Sequence, residues 1–569
     1  MEFAEFIKTP KINRVVLHET PSKKKLECSL CITGHHLILS TRKEDEQEFW
    51  LLHQSIDLVE RSQPRAENYL QATKDWINNP NNYISGSGGG GNSYNGGTIT
   101  LYCKNLRILR IEIVGYTEFV NVADSLEKLS RLETQWLYPF FYRPMYNILE
   151  DGYTIFGPEV EYGKLLATQQ WRLSRVNEKF RVCPTYPKVL VVPNVISDDE
   201  ITEAATFREG GRFPVYCYKH NNEAVLLRAG PILMQNGVKR CQSDENIVNV
   251  VLGMTTKGYI LDTTKPGKIN IPMENYAQWK KVSHPIKITT DCFNKLIENC
   301  NDTTCSVDRY LERLESCGWL SVVLKTLDGA CIVAQLLDKD KTPVLIEGMD
   351  AALIISSLVQ IILNPDCRTV RGFIALIDRE FVQGGFPFAT RHRAGCYSPN
   401  RTKQTVPSFL LFLDCVYQLH YQFSSSFEFK TQLLIMLCEN SYFSQYGTFL
   451  GDCERDREAL GVYTKTVSYW THLFRPEFMK TILSPLYDPN PQVIWPSVAP
   501  CSLVLWSEFY LRWTIDQTFI ENMEKTVTEK MTQEKELRTK IIKLKKELTD
   551  LQTEYNEIQV KASKTMPDE

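Results

Sequence analysis

The sequence predicts a multidomain chain: a β-rich, PH-like N-terminal domain, a large α/β domain and a C-terminal α-helical coiled coil. Three observations predict it. Short runs of alternating apolar and polar residues fill positions 1–125 and are closed by one stretch with helical spacing. Apolar strand candidates then alternate with helical stretches through residue 513. Beyond that, apolar residues recur at alternating steps of three and four. With 569 residues, 43% hydrophobic and 23% charged, the chain can bury several cores, which excludes disorder as its main state.

In the first domain, residues 30–39 and 49–52 read as strands. Residues 78–97, containing Ser85-Gly-Ser-Gly-Gly-Gly-Gly-Asn92, cannot bury enough surface to order themselves and are expected to form a flexible surface insertion. A strand at 98–102 leads through Leu106 and Ile108 to Ile113. Residues 120–132 then follow with Val122, Leu126, Leu129 and Leu132 on one helical face.

Residues 127–513 form the α/β domain, entered through an aromatic, proline-punctuated stretch at 137–144. Strands are expected at 189–192, 214–218, 224–227, 322–324 and 343–346, and helices at 433–443 and after Ala351. Asp414, Cys415 and His420 lie among Phe412, Leu413 and Val416, which favours a core helix over a catalytic dyad.

The coiled coil spans 516–562, with a tail at 563–569. Its seam runs Ile520, Met523, Val527, Lys530, Glu534, Leu537, Ile541, Leu544, Leu548, Leu551, Tyr555 and Ile558, without proline or glycine. A lone helix with one apolar stripe needs a partner, either another chain or, less in keeping with heptad spacing, its own domain. The seam charges Lys530 and Glu534 select register or partner.

Lysine and arginine total 65 against 68 aspartate and glutamate, a net charge of -3, so no global field draws the chain to nucleic acid. Residues 1–10 lack the apolar segment of a secretory signal, and the densest apolar run, 351–363, is too short and polar to span a bilayer. A cytoplasmic protein is expected, with its 17 scattered cysteines reduced. Cys28 and Cys31, near His35 and His36, do not supply four convergent zinc ligands on a strand. No metal or cofactor is predicted, since HExxH, GxxxxGK[ST] and GxGxxG patterns are missing.

Several phrases, in order, resemble the myotubularin family of phosphoinositide 3-phosphatases and their inactive relatives. They are Cys183-Pro-Thr-Tyr-Pro187 with Val192-Pro193, Ala205-Thr-Phe-Arg208, Arg212-Phe-Pro-Val215, and Arg240-Cys241 with Asp244-Glu245. Further on come Arg368-Thr-Val-Arg-Gly-Phe373, Phe412-Leu-Asp-Cys415, Phe427-Glu-Phe429, Gly447-Thr-Phe-Leu450 and Trp495-Pro-Ser497. The resemblance covers most of the chain. It implies a GRAM domain of PH-like fold at 1–125, a cysteine-phosphatase-type domain at 127–513 and a coiled coil that mediates dimerisation.

That chemistry requires a cysteine thiolate and an arginine six positions later, on a loop whose amides cradle phosphate before a helix. None of the 17 cysteines has arginine at the sixth following position. The family's loop, His-Cys-Ser-Asp-Gly-Trp-Asp-Arg-Thr, is matched without a gap by Val344, Leu345, Ile346, Glu347, Gly348, Met349, Asp350, Ala351 and Ala352. Leu345 then takes the cysteine position and Ala351 the arginine position. Glu347 and Asp350 are expected to leave unpaired negative charge that repels phosphate; the alternative is that both face solvent beside a weak anion site.

The resemblance therefore implies a member of the inactive subgroup. As an adaptor it would heterodimerise through its coiled coil with active phosphoinositide 3-phosphatases and stabilise, localise or stimulate them. That work lies in phosphatidylinositol 3-phosphate turnover, at endosomes and in autophagy. The competing reading is a homodimeric scaffold that binds phosphoinositide or protein without any phosphatase. Lys23, Lys24 and Lys25 are the candidate basic contact with a membrane, set against the simpler reading of a solvated charge run.

Overall fold

The computed structural model describes residues 3–18, 25–41, 48–63, 96–132, 144, 146–148, 150–233, 240–253, 255, 257–264, 273–514 and 518–564. Seven strands form the N-terminal sheet: β1 (Lys11–His18), β2 (Lys25–Ile32), β3 (His36–Ser40), β4 (Phe49–Leu52), β5 (Ile56–Ser62), β6 (Gly97–Cys103) and β7 (Ile108–Ile113). Their order is β4-β3-β2-β1-β7-β6-β5, with every neighbouring pair antiparallel. Alternate residues such as Leu30, Ile32, Leu37, Leu39, Ile99, Leu101 and Ile111 face one core. Helix α1 (Tyr116–Ser130) lays Phe119, Val122, Ala123, Leu126 and Leu129 into it.

Residues 30–39 are a hairpin rather than one strand, because the chain turns at Thr33 to His35 and Thr33 Oγ1 accepts from the His36 amide at 2.9 Å. The insertion expected at 78–97 lies outside the described residues except for its end. There Gly97 is buried and opens β6, since an added Cβ would meet the Phe119 ring at 2.7 Å. Most of the aromatic stretch at 137–144 and Lys23 and Lys24 also lie outside the described residues.

A five-stranded sheet centres the larger region: β10 (Val215–Lys219), β11 (Val225–Ala229), β12 (Gly258–Asp262), β13 (Trp279–Ser283) and β14 (Val344–Glu347). A separate ribbon pairs β8 (Trp171–Ser174) with β9 (Leu190–Pro193). The sheet order is β10-β11-β14-β12-β13, parallel except for β10. A parallel sheet is covered on both faces, so β14 reads as an unbroken apolar run followed by Glu347, all buried. Val344 and Ile346 face a layer of α2 (Trp319–Asp338), α3 (Asp350–Leu363) and α4 (Ser408–Gln422). Leu345 faces the other way, into the cluster of Leu227, Val248, Ile260 and Trp279.

The strand expected at 322–324 is instead inside α2. Three apolar residues in a row suit a strand locally, but burial of Val323, Leu327, Ala330, Ala334 and Leu337 follows the helical repeat. Helix α1 also begins and ends earlier than the expected 120–132. In α4, Asp414 is buried and accepts from Trp319 Nε1 and Tyr510 Oη, each at 2.7 Å, while His420 Nε2 meets the Phe429 carbonyl at 2.8 Å. These are core hydrogen bonds.

The two regions meet through specific groups. Asp57 accepts from the amides of Gly395 and Tyr397 at 2.7 and 2.8 Å. The Asn105 carbonyl accepts from Arg512 Nη2 and Trp513 Nε1, and the Arg107 guanidinium lies 4.2 Å from the Phe49 ring centroid and 4.7 Å from that of Trp513. Just beyond this junction, helix α5 (Thr518–Lys564) runs 47 residues, about 70 Å at the α-helical rise. Met523, Val527, Leu537, Ile541, Leu544, Leu548, Leu551, Tyr555 and Ile558 are all exposed along it, at 49 to 65%. Ile520 is in the helix, its side chain outside the described residues, as are residues 565–569 of the tail.

Candidate functional site

The carboxyl end of a central parallel strand, followed by a helix N-terminus, is where α/β folds place anionic ligands. Here that place is the link from β14 to α3. Only Gly348 and Met349 separate the two elements. Leu345, at the expected nucleophile position, is fully buried and in register with Leu227 on one side and Ile260 on the other. Ile346 pairs with Arg228 and Leu261 in the same way.

The first part of the link is committed to the sheet. Gly348 N donates to the Ala229 carbonyl at 3.0 Å, and the Glu347 carbonyl accepts from Thr263 N and Thr263 Oγ1 at 3.0 and 2.9 Å. Gly348 has φ of 151°, and an added Cβ would sit 2.1 Å from Thr263 Oγ1, so any side chain at this crossing strains the backbone and must displace Thr263. Met349 is 40% exposed, whereas Ala351, at the expected arginine position, is 8% exposed and Ala352 is fully buried.

The charges are also differently disposed than expected. Glu347 is neither unpaired nor solvent-facing. Its Oε1 accepts from Arg208 Nη1 at 2.5 Å, both side chains being buried. Arg208 also grips Asp244 through Nε and Nη2 at 2.8 and 2.6 Å, and donates to the Gly230 carbonyl. Tyr276 Oη completes the set by donating to Asp244 Oδ2 at 2.6 Å. Burial lifts the Glu347 carboxyl above its usual range, with Arg208 pulling down and Asp262 adding to the rise.

Asp350 opens α3, where a negative charge suits the helix dipole. Arg391 holds it bidentately through Nε and Nη2 at 2.7 and 3.0 Å, and Ser408 Oγ donates to it at 2.6 Å. The anion at this helix N-terminus is thus the chain's own. Arg208 and Asp244 stand in motifs visible in the sequence; Arg391 and Ser408 do not, and what could have flagged Arg208 is that a carboxylate ending a buried strand needs a buried cation.

Where burial displaces a cysteine thiol it displaces it upward, to about 12 for Cys103, Cys217, Cys300 and Cys367, which keeps the thiol protonated. Cys28 and Cys31 are three apart on β2 and so point to opposite faces, and no described group of three His, Cys, Asp or Glu could hold a metal ion.

A family model described as the myotubularin-like phosphatase domain matches residues 137–458, more than half the chain. The chain belongs to the myotubularin family. It is similar to myotubularin-related protein 9 of Bos taurus, 41% identical over 97% of this chain and 99% of the relative, and to that of Caenorhabditis elegans, at 34% over the same shares. It is also 30% identical to phosphatidylinositol-3,5-bisphosphate 3-phosphatase MTMR8 of Homo sapiens, over 79% of this chain and 67% of the relative. The matched residues include the β14 to α3 link.

Proposed function

We propose that this chain is a catalytically inactive, regulatory myotubularin subunit that pairs through α5, as a coiled coil, with an active phosphoinositide 3-phosphatase and stabilises, localises or stimulates it. The observation that carries the reading is Leu345: the nucleophile position holds a hydrocarbon locked between two strands, in a chain with no C-x5-R sequence. The exposed stripe of α5 supports the pairing, because a helix of this length with one apolar face is stable only when that face is covered. Likeness to myotubularin-related protein 9 and to a relative named as a 3-phosphatase supports the setting, turnover of 3-phosphorylated inositol lipids, which this reading assigns to endosomal and autophagic membranes. In this reading the N-terminal sheet and α1 are a GRAM domain, and the chain is cytoplasmic with peripheral membrane contact.

The test is co-purification from native cells with and without residues 516–562, followed by phosphatidylinositol 3-phosphate turnover on the captured material. Partner and turnover lost together with the helix support the regulatory subunit; self-association alone, without turnover from either sample, contradicts it.

A further inference from the structure

The apolar stripe of α5 is interrupted once, by two residues one turn apart. Val527, Ile541, Leu548 and Tyr555 occupy one set of seam positions (a), and Met523, Leu537, Leu544, Leu551 and Ile558 the other (d). Lys530 falls at d and Glu534 at a. Flanking them, Lys540 is at g, and Arg538 and Lys545 are at e, which makes the middle of the pairing face basic on both sides. Glu534 is bonded to Arg538 on its own helix at 2.6 Å, whereas Lys530 donates to the neutral Gln533 at 3.5 Å.

Pairing with a second copy conflicts with these charges in each register. In a parallel, aligned pair, Lys530 and Glu534 would each face their own counterparts, and Lys540 would face Lys545 on both flanks. In the antiparallel register with fullest overlap, Lys530 would be pressed against Leu548 and Glu534 against Leu544, desolvating both without a partner. A different antiparallel register does set Lys530 against Glu534. It would lay residues 548–558 beside 506–516, where Trp506, Phe509 and Tyr510 are already buried in the domain core.

We infer that α5 selects a helix from a different chain, one that presents an acidic residue to Lys530, a basic residue to Glu534 and acidic residues to Lys540 and Lys545. This rests on the reading of α5 as a partner-binding helix and adds the partner's chemistry to it. The Lys530 and Glu534 positions give up apolar burial and in return reject self-pairing, the established use of polar seam residues in coiled coils.

The test uses the full chain and a charge-inverted copy carrying Lys530→Glu, Glu534→Lys, Lys540→Glu and Lys545→Glu. Sedimentation equilibrium is measured on each alone and on the equimolar mixture. The mixture is expected to form a one-to-one pair at least about tenfold tighter than either self-association. A third chain, with Lys530→Leu and Glu534→Ile, is expected to self-associate tightly, which also establishes that the helix folds and pairs. The inference is overturned if the unaltered chain pairs with itself as tightly as with the inverted copy, or if the Leu/Ile chain gains no self-association. A phosphatase captured through residues 516–562 with no dependence on these four charges would refute the charge rule alone and leave the regulatory reading standing.

Discussion

Arg208 Nη1 donates to Glu347 Oε1 at 2.5 Å across 139 residues of sequence, and both side chains are buried. Arg208 thereby ties the last residue of the central strand to Asp244. One guanidinium serving two carboxylates leaves the knot intolerant of losing its cation. Arg208→Leu strands two buried anions and is expected to destabilise the domain by about 3–5 kcal/mol, the range for breaking a buried ion pair. Replacing Asp244 and Glu347 by leucine in the same chain should restore much of that loss; chemical denaturation of the three variants checks both.

Reinstating the family's two reacting residues should not reinstate chemistry. Leu345→Cys with Ala351→Arg puts a thiol into the sheet between Leu227 and Ile260, and a charge where Ala351 is almost wholly buried. The double variant is expected to release no phosphate above background from soluble phosphatidylinositol 3-phosphate and to be less stable than the parent by about 3 kcal/mol or more. Parallel phosphate-release and thermal-melting measurements check it, and turnover by this variant would show that the strand can open into a loop.

Gly348 packs so close to Thr263 that a Cβ at 348 would lie 2.1 Å from Thr263 Oγ1. Gly348→Ala is expected to cost about 1–3 kcal/mol through backbone strain and this clash. Adding Thr263→Ala removes the clash but not the strain, so recovery should be partial. Urea midpoints of the single and double variants measure the split.

Acid should loosen the N-terminal sheet. His53 is fully buried with Nε2 donating to the Thr33 carbonyl, and burial holds its pKa down at about 4; His36 is also lowered to about 4, by burial and then by His35. A histidine in the unfolded chain keeps a value near 6.5, so between pH 6.5 and 4 the unfolded state binds more protons. Stability from these groups is therefore complete above 6.5 and is lost as pH falls through that window, by about 3 kcal/mol for fully buried His53. Hydrogen exchange of β2 and β3, corrected for its intrinsic pH dependence, should show protection falling over this range, and His53→Asn should flatten the response.

The central strand and its helix were legible because elements covered on every side are apolar without interruption, as residues 344–346 and 351–355 are. The same local rule misplaced 322–324, where only the burial of Val323, Leu327 and Ala330 along a full helix reveals the repeat. At the site, the missing cysteine and arginine could be read directly, but the fate of Glu347 and Asp350 could not. Their cations, Arg208 and Arg391, are separated from them by 139 and 41 residues, and no spacing rule reaches that far. The expected bare charge thus gives way to a strand that runs through residues 344–347 and to carboxylates that are each paired with a buried or half-buried arginine.

The central claim is that the chain does no phosphate chemistry itself, and its most direct test is phosphate release from soluble short-chain phosphatidylinositol 3-phosphate by the purified full chain alone. Release indistinguishable from buffer, at enzyme concentrations where an active family member exhausts the substrate, is the predicted result. Saturable turnover that follows the purified chain through successive columns would contradict it.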